Sequence, residues 1–524
     1  MPPHPLFDPS IDKLSVLIEE VMRATPEGVK RFIEPANGVL ARAKSNQHQI
    51  VFGRRGSGKS SLLRKVVADL TVVRRPIAYV DMETFKSHTY PDVLISVLVK
   101  SLREFKGWLD SAAIAPSNKP SFWNRLFGEK PKCPPLNKHT VKALSAELGD
   151  MLESLELQLL KPEQASVQTK HQRTGENSNA EALGVALKTS VGDISASTNY
   201  SHKGANLAEE QLSYISHKVE FLHQKILNYQ DFFSRLGILS DGHAVLVLDD
   251  LYHIRRSDQA KVIDYFHRVA KGNKLWLKIG TIKHRTDWYI HGNPPIGLKL
   301  GDDASEVNLD LTLEQYRTSR KFLQLILEQL VGEVTTFNVN ELINTSAIDR
   351  LVVASGGVAR DFLGIFGKAL IFARERGEGH HRGQKIGVED VNKAAGEYDP
   401  NKREEFKLDT DEDRVQLESE FQKIVEFCTE QSKCNVFLVH QKTDSVKKAL
   451  IDQLVDLRLV HLVKSRVTTK STKAGELFEA YMLDLSQYTA ARKIHDMHLV
   501  DLSKDEANDE IRRNSLVYTE SRAA

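Results

Sequence analysis

The run VFGRRGSGKSSLL at residues 51–63 constrains this chain more than any other stretch. Gly53, Gly58, Lys59 and Ser60 keep the spacing G-x-x-x-x-G-K-S, with a further glycine at Gly56. Glycines let the backbone turn tightly enough for successive N–H groups to face inward at phosphate oxygens. The helix that must follow brings its positive N-terminal end to the same point. Lys59 then reaches the β- and γ-phosphates, and the Ser60 hydroxyl ligates Mg2+. Gly53, Gly56, Ser57, Gly58, Lys59, Ser60 and Ser61 are therefore the candidates for holding a nucleotide, with ATP and Mg2+ as the implied ligands. Such a loop works only between a buried strand and a helix. HQIVFG reads as that strand and SSLLRKVVADL as that helix.

The surrounding pattern extends the same unit. RRPIAYVDME is a second strand ending in Asp81 and Glu83, and a helix follows over about 91–108. HAVLVLDD and KLWLKIGT are two more buried strands, separated by a helix through QAKVIDYFHRVA. Strands alternating with helices predict a parallel α/β sheet. The alternation is interrupted at 109–206, which reads as an insertion that either decorates the domain surface or contacts a partner or DNA. It begins with a Pro-, Asn- and Lys-rich loop. It goes on through a helical pattern with Val141, Leu144, Leu148, Met151 and Leu155, and a weak hairpin around Gly192-Asp193. A second helical seam, Leu212 to Phe233, alternates spacings of three and four. At 524 residues the chain has room for about three domains. The divisions expected are an α/β base at 1–305, a helical lid at 306–400, an acidic linker at 401–420, a smaller unit at 421–490 and a frayed charged tail at 491–524. The smaller unit is expected to hold three helices, then strand, loop and strand.

VLVLDD places Asp249 and Asp250 at the end of a buried strand. Asp249 is the second candidate Mg2+ ligand beside Ser60, and Asp250 is placed to orient or deprotonate an attacking water. Aspartate is one methylene shorter than the glutamate common at this position, which sets its carboxylate back by about 1.5 Å. A misplacement of about 1 Å can cost on the order of 100-fold in rate, so slow hydrolysis is expected. Thr281 tips the strand LKIGT, where its hydroxyl can touch the γ-phosphate or the water. Arg360, in ASGGVARDFL, begins a helix from which a guanidinium can report whether γ-phosphate is present.

In order, GRRGSGKS, VLVLDD, LKIGT and SGGVARDF resemble the AAA+ ATPases, and more narrowly the clade of origin-recognition-complex and initiator ATPases. The terminal unit is similar to the winged helix of that clade. The resemblance implies a P-loop AAA+ base with a parallel sheet, a helical lid and a C-terminal winged-helix domain. It further implies an ATP site between base and lid, completed by an arginine finger from a neighbouring subunit or partner protein. Arg285 and Arg268 are the candidates for that finger. Asp250 departs from the family's glutamate, and the 109–206 insertion departs from the initiator plan. Signalling ATPases of the STAND type often carry Asp-Asp at this point, but a Gly-Leu-Pro lid signature is absent. The functional expectation is a nucleotide-dependent, DNA-associated switch. The alternatives are a STAND-like signalling or anti-phage defence ATPase, and the helper ATPase of a mobile element.

A net charge of +2 spreads no strong field over the whole molecule, so any nucleic-acid surface must be local. From Lys433 to Lys473 nine Lys/Arg meet three acids. A recognition helix at about 443–458 would offer Lys447, Lys448 and Arg458 to duplex DNA, and a wing would offer Lys464, Arg466, Lys470 and Lys473. The N-terminus lacks a basic start followed by an apolar run, no apolar stretch is long enough to span a bilayer, and the three cysteines match no metal or redox spacing. A cytoplasmic location is expected.

Overall fold

The computed structural model describes residues 5–114, 136–160, 195–240, 242–379, 385–409, 414–469, 476–489, 494, 496–514 and 516–518. Five strands build the central sheet: β1 (Gln49–Phe52), β2 (Ile77–Asp81), β3 (Ala244–Asp249), β4 (Leu275–Thr281) and, after a small hairpin of β5 (Tyr289–Ile290) and β6 (Ile296–Gly297), β7 (Ser305–Asn308). Their order is β2-β3-β4-β1-β7, and every pairing is parallel. β3 is buried along its whole length, which explains its unbroken apolar run, because a parallel sheet is covered on both faces. Val51, Val245 and Val247 pack on one face beneath Leu62, Leu63 and Val66 of the helix that follows β1, Lys59–Val72. Phe52, Leu246, Leu248 and Ile279 face the other side and meet helices Asp92–Ile114 and Arg256–Ala270.

Part of the expected surface insertion lies in this second layer. Val141, Leu144, Leu148 and Leu155, on a helix over 138–160, are buried with Leu222, Ile226, Tyr229 and Phe233. The latter four belong to the long helix Ser195–Leu239. Both helices share one core with Phe105 and Val262, so the helical seam read from the sequence is filled by the base itself. The hairpin turn expected at Gly192-Asp193 lies outside the described residues, and the chain from Ser195 onward is helix.

Two further boundaries shift. Helix Pro9–Val21 starts at a capped turn, where Asp8 Oδ1 accepts from Ser10 N at 2.8 Å. Its buried stripe of Ile11, Leu14, Leu17 and Ile18 packs on the lid helices Tyr316–Val334 and Ala359–Gly379, so the N-terminal helix joins the lid rather than the base. The acidic linker is in large part helix: Val388–Asp409 runs into it, and Arg414–Glu426 runs out of it. Lys402 and Asp399 on the first of these are buried.

The C-terminal unit is helix, strand, helix, strand, strand. After Arg414–Glu426 come β8 (Val436–His440), helix Ser445–Asp456, β9 (Val460–Val467) and β10 (Phe478–Leu483), in an antiparallel sheet of order β8-β10-β9. NVFLVH is therefore a strand, where three successive helices were expected. Lid and C-terminal unit are not separate bodies, because Phe366, Leu370, Phe421, Leu454 and Tyr481 belong to one continuous core. The described part of the tail packs on the C-terminal unit. Met497, Val500, Ile511 and Tyr518 are buried on that core, and Tyr518 N donates to Leu438 O at 2.7 Å.

Candidate nucleotide site

The three sequence motifs of the base end at one edge of the sheet. In parallel α/β sheets ligands bind in the crevice beyond the carboxyl ends of the strands. The loop after β1 supplies Gly53 to Gly58, β3 supplies Asp249 and Asp250, and β4 supplies Thr281. Gly56 (φ 84°) and Gly58 (φ 96°) both hold the left-handed backbone that turns the loop around a phosphate-sized space. Ser57 carries a buried hydroxyl with no hydrogen-bond partner. A buried hydroxyl without a partner in this loop fits an anionic ligand. Lys59 opens the following helix with its ammonium buried, 3.4 Å from Arg54 O and 3.8 Å from Asp250 Oδ1. Ser60 and Ser61 follow in the first turn.

Asp249 is 2 % exposed and held on both oxygens. Its Oδ1 accepts from Asp250 N at 3.0 Å, its Oδ2 accepts from Tyr79 at 2.5 Å, and Ser60 also hydrogen-bonds the carboxylate. Burial, and then the neighbouring Asp250, push its pKa up to about 6. Burial raises that of Asp250 too, while Lys59 pulls the other way. A buried carboxylate and a half-buried one beside a serine hydroxyl suit a divalent cation, whose charge would replace the missing solvation. Ser60 and Asp249 are the residues that would hold Mg2+. Asp250 sits at φ 53°, a left-handed conformation that Asp adopts more readily than Glu. The local backbone therefore accounts for aspartate at this position.

Thr281 is fully buried, and its Oγ1 lies 2.5 Å from Thr286 Oγ1. Its carbonyl accepts from Gly53 N at 3.2 Å, tying the β4 tip to the start of the loop. The lid reaches the same loop: Arg360 N donates to Gly56 O at 3.3 Å. A Cβ at Gly56 would come within 2.7 Å of Arg360 Cβ. The Arg285 guanidinium lies 5.4 Å from the centre of the Tyr252 ring, over which the Lys59 ammonium also sits at 5.8 Å. Arg285 and Lys59 thus lie against the same ring of this chain. Arg268 is exposed in the last turn of Arg256–Ala270. It lies about 18 Å along that helix from its first residue.

Sequence reasoning missed two residues of the site. Tyr79 is one. Arg54 is the other: the first variable position of the loop is only 2 % exposed. Its backbone N and Nε both donate to Asp310 Oδ1, at 2.8 and 3.2 Å, and its guanidinium donates to Leu311 O and Gly356 O at 3.1 and 3.0 Å. The variable positions of a phosphate loop carry no sequence signal. For Tyr79 a signal did exist, because strand alternation turns it to the same face as Asp249.

The expected DNA contacts divide. Arg458 is not a surface residue: it is 2 % exposed and donates to the buried Asp361 at 2.6 Å. It sits at the turn after the helix, at φ 64°, where its buried charge is matched by the buried Asp361 carboxylate. Lys448 is occupied by Asp452 at 2.8 Å and by Glu479 and Tyr481. Lys447 lies 4.1 Å over the Tyr518 ring of the tail. The end of the would-be recognition helix is docked against the base, with Asp456 Oδ2 accepting from His284 N at 3.1 Å. Burial, and then Asp310, push the pKa of Asp456 up to about 8. On the wing, Arg466 is exposed and Lys464 donates to Asn508 at 2.7 Å, whereas Lys470 and Lys473 lie outside the described residues.

No family model matches the chain, and no curated protein matches it. Among solved structures the chain is similar to the Aeropyrum pernix Orc1 protein, solved in complex with DNA, at 12% identity and a TM-score of 0.34, covering 94% of this chain and 97% of that one. It is also similar to the Walker-type ATPase PABY2304 of Pyrococcus abyssi, at 12% identity and a TM-score of 0.38, over 85% of this chain and 91% of that one. The Cdc6p structure from Pyrobaculum aerophilum matches at 11% identity and a TM-score of 0.32, over 94% and 99%. Among the described residues no helix is long and apolar enough to cross a membrane.

Proposed function

We propose that this chain is a Mg2+-dependent ATP-binding protein that hydrolyses ATP slowly and uses the bound nucleotide as a conformational switch. One observation carries the reading. The phosphate loop, the acid pair and the first turn of a lid helix meet within one crevice, with Arg360 N on Gly56 O at 3.3 Å and Lys59 3.8 Å from Asp250. Lys59 and the loop N–H groups bind the phosphates, and Mg2+ neutralises their charge when bound. Asp250 is the acceptor placed to orient a water, and Thr281 steadies the β4 tip behind it. Arg360 senses the nucleotide from the lid, because a ligand that contacts both sides of the crevice favours the closed arrangement. Arg268, exposed at its helix end, is the better placed of the two finger candidates to serve a neighbouring subunit.

The switch reads out through the C-terminal unit. As a DNA-associated protein it would use the wing, through Lys464, Arg466, Lys470 and Lys473, rather than the helix 445–456. The docking of that helix against the base, with its lysines paired, favours a second reading in which the unit serves as an intramolecular packing surface of a signalling or defence ATPase. ATP binding and turnover are to be measured with and without duplex DNA, beside Lys59→Ala and Asp250→Asn. Binding lost in Lys59→Ala, with slow turnover lost in both, supports the ATPase. Salt-dependent DNA affinity that disappears on neutralising Lys464 and Arg466 supports the DNA-associated reading. Absence of ATP binding by the unsubstituted chain refutes both.

A further inference from the structure

The metal-site carboxylate is positioned by residues that the phosphate-loop motif does not include. β2 and β3 run parallel in register, with Tyr79 beside Val247 and Asp81 beside Asp249. Alternation along both strands turns Tyr79 and Asp249 to the face covered by helix Lys59–Val72. From the neighbouring strand the Tyr79 hydroxyl donates to Asp249 Oδ2 at 2.5 Å. Its ring is clamped in turn, with the Arg64 guanidinium of the phosphate-loop helix 4.6 Å from its centre. The other carboxylate oxygen is confined from β4. A Cβ at Gly280 would stand 2.5 Å from Asp249 Oδ1 and 2.7 Å from Leu63 Cδ1, so only glycine leaves room for the carboxylate where it lies. Asp249 is therefore bracketed by Tyr79 on one flank and by the bare backbone of Gly280 on the other, while Asp250 N caps Oδ1 at 3.0 Å.

We propose that Tyr79 and Gly280 are positioning residues for the divalent cation: Tyr79 fixes the rotamer of Asp249, and Gly280 provides the space that this rotamer needs. Neither touches the nucleotide. An ionised carboxylate has about four lone-pair directions. Tyr79 uses one on Oδ2 and Asp250 N one on Oδ1, and the other two stay available toward Ser60 and the cation. Hydrogen bonds of this indirect kind are worth about 10- to 100-fold in metal affinity where they have been removed. The inference rests on the Mg2+·ATP reading of the crevice, and the experiment separates the two.

A fluorescent ATP analogue is titrated into the full chain in EDTA and again over a Mg2+ series, for the unsubstituted chain, Tyr79→Phe and Gly280→Ala. Tyr79→Phe keeps the ring and its contact with Arg64 and removes only the hydroxyl. Its Mg2+ midpoint is expected to rise about tenfold while the affinity in EDTA stays unchanged. Gly280→Ala, which forces the carboxylate aside, is expected to shift the midpoint in the same direction. Where ATP turnover is measured, the loss in Tyr79→Phe should be partly recovered by raising Mg2+, which a general folding defect would not permit. An unchanged midpoint in a folded Tyr79→Phe, or an equal loss with and without Mg2+, overturns the proposal. Should Tyr79→Phe not fold, Gly280→Ala decides by the same criterion. If the unsubstituted chain binds no nucleotide, the ATP-site reading fails first; if it binds with a Mg2+ dependence that neither variant alters, only the positioning role fails.

Discussion

Replacing Arg458 by Ala separates two accounts of the basic C-terminal unit. If Arg458 lay on a recognition helix, its loss would weaken DNA binding and leave stability within about 0.5 kcal/mol, as surface substitutions do. Its guanidinium is instead buried against Asp361 at 2.6 Å, in a cluster where Lys402 lies 2.7 Å from Asp484 and 3.8 Å from Asp361, and His461 lies 2.8 Å from Asp484. Removing one partner of a buried pair leaves an uncompensated charge and costs about 3–5 kcal/mol. Lys402 remains near Asp361 and softens the loss, so about 3 kcal/mol is expected. With a urea slope of about 2 kcal/mol per M, the unfolding midpoint of the shared lid and C-terminal core should fall by about 1.5 M. Urea unfolding followed by circular dichroism at 222 nm reads this directly. Asp361→Asn in the same background should restore part of the loss, because the carboxylate charge that needs a partner is then gone. A midpoint shift below about 0.3 M, together with weakened DNA binding, would place Arg458 at the surface and refute the buried-pair argument.

Four further outcomes follow from the geometry. Gly56→Ala should abolish ATP binding and loosen the lid, since the residue holds φ 84° and its new Cβ would stand 2.7 Å from Arg360 Cβ; hydrogen exchange at 358–362 should rise. Asp250→Glu should lower stability by about 1 kcal/mol, measured by thermal unfolding, because the position is left-handed with φ 53°. Thr281→Val should leave ATP affinity unchanged and lower single-turnover hydrolysis, because its hydroxyl pairs only within the β4 tip, 2.5 Å from Thr286. The last concerns pH. Burial raises the pKa of Asp456 to about 8, so between the ordinary carboxylate range and pH 8 the folded chain binds a proton that the unfolded chain does not. Stability contributed here falls as pH rises through that window, and Asp456→Asn should be increasingly more stable than the parent from pH 4 to pH 8 in thermal scans.

The base was legible because its chemistry is local. A glycine-rich loop, an apolar strand and a pair of acids each occupy a few consecutive residues, and the backbone requirements of each leave few alternatives. The C-terminal unit was less so. NVFLVH holds a run of four apolar residues, too short for periodicity to tell strand from helix, and its strand pairing comes from Phe478–Met482 about 40 residues on. The helical seam at Val141–Leu155 was read correctly as helix and wrongly as surface, since its partners at Leu222–Phe233 become neighbours only on folding. Charged residues misled most. Lys448 and Arg458 look solvated in a basic stretch, but beyond Asp452 on Lys448's own helix their acids come from other elements: Glu479 from β10 and Asp361 from the lid. Sequence reading assigns charges to solvent by default, and a buried pair contradicts the default without leaving any local trace.

The buried charges also link the nucleotide crevice to the C-terminal unit. Arg54 leaves the phosphate loop and holds Asp310, Leu311 O and Gly356 O, so the loop cannot change shape without moving the junction between base and lid. That junction is also where the C-terminal unit rests. His461 packs so closely on Gly356 that a Cβ there would meet its Nδ1 at 2.1 Å, Glu314 accepts from Ser465 N and Oγ at 2.9 and 2.7 Å, and Asp456 caps His284 N. Interiors packed this tightly move between discrete arrangements rather than deforming continuously. A ligand that reorders the phosphate loop is therefore expected to act on the seat of the C-terminal unit through Arg54. Arg54→Met, which keeps the length and removes the donors, should uncouple the two. ATP binding would persist with reduced affinity, but the nucleotide would no longer change proteolytic accessibility at the wing. If ATP protects or exposes the wing equally in Arg54→Met and in the unsubstituted chain, the coupling runs through the lid contact of Arg360 instead.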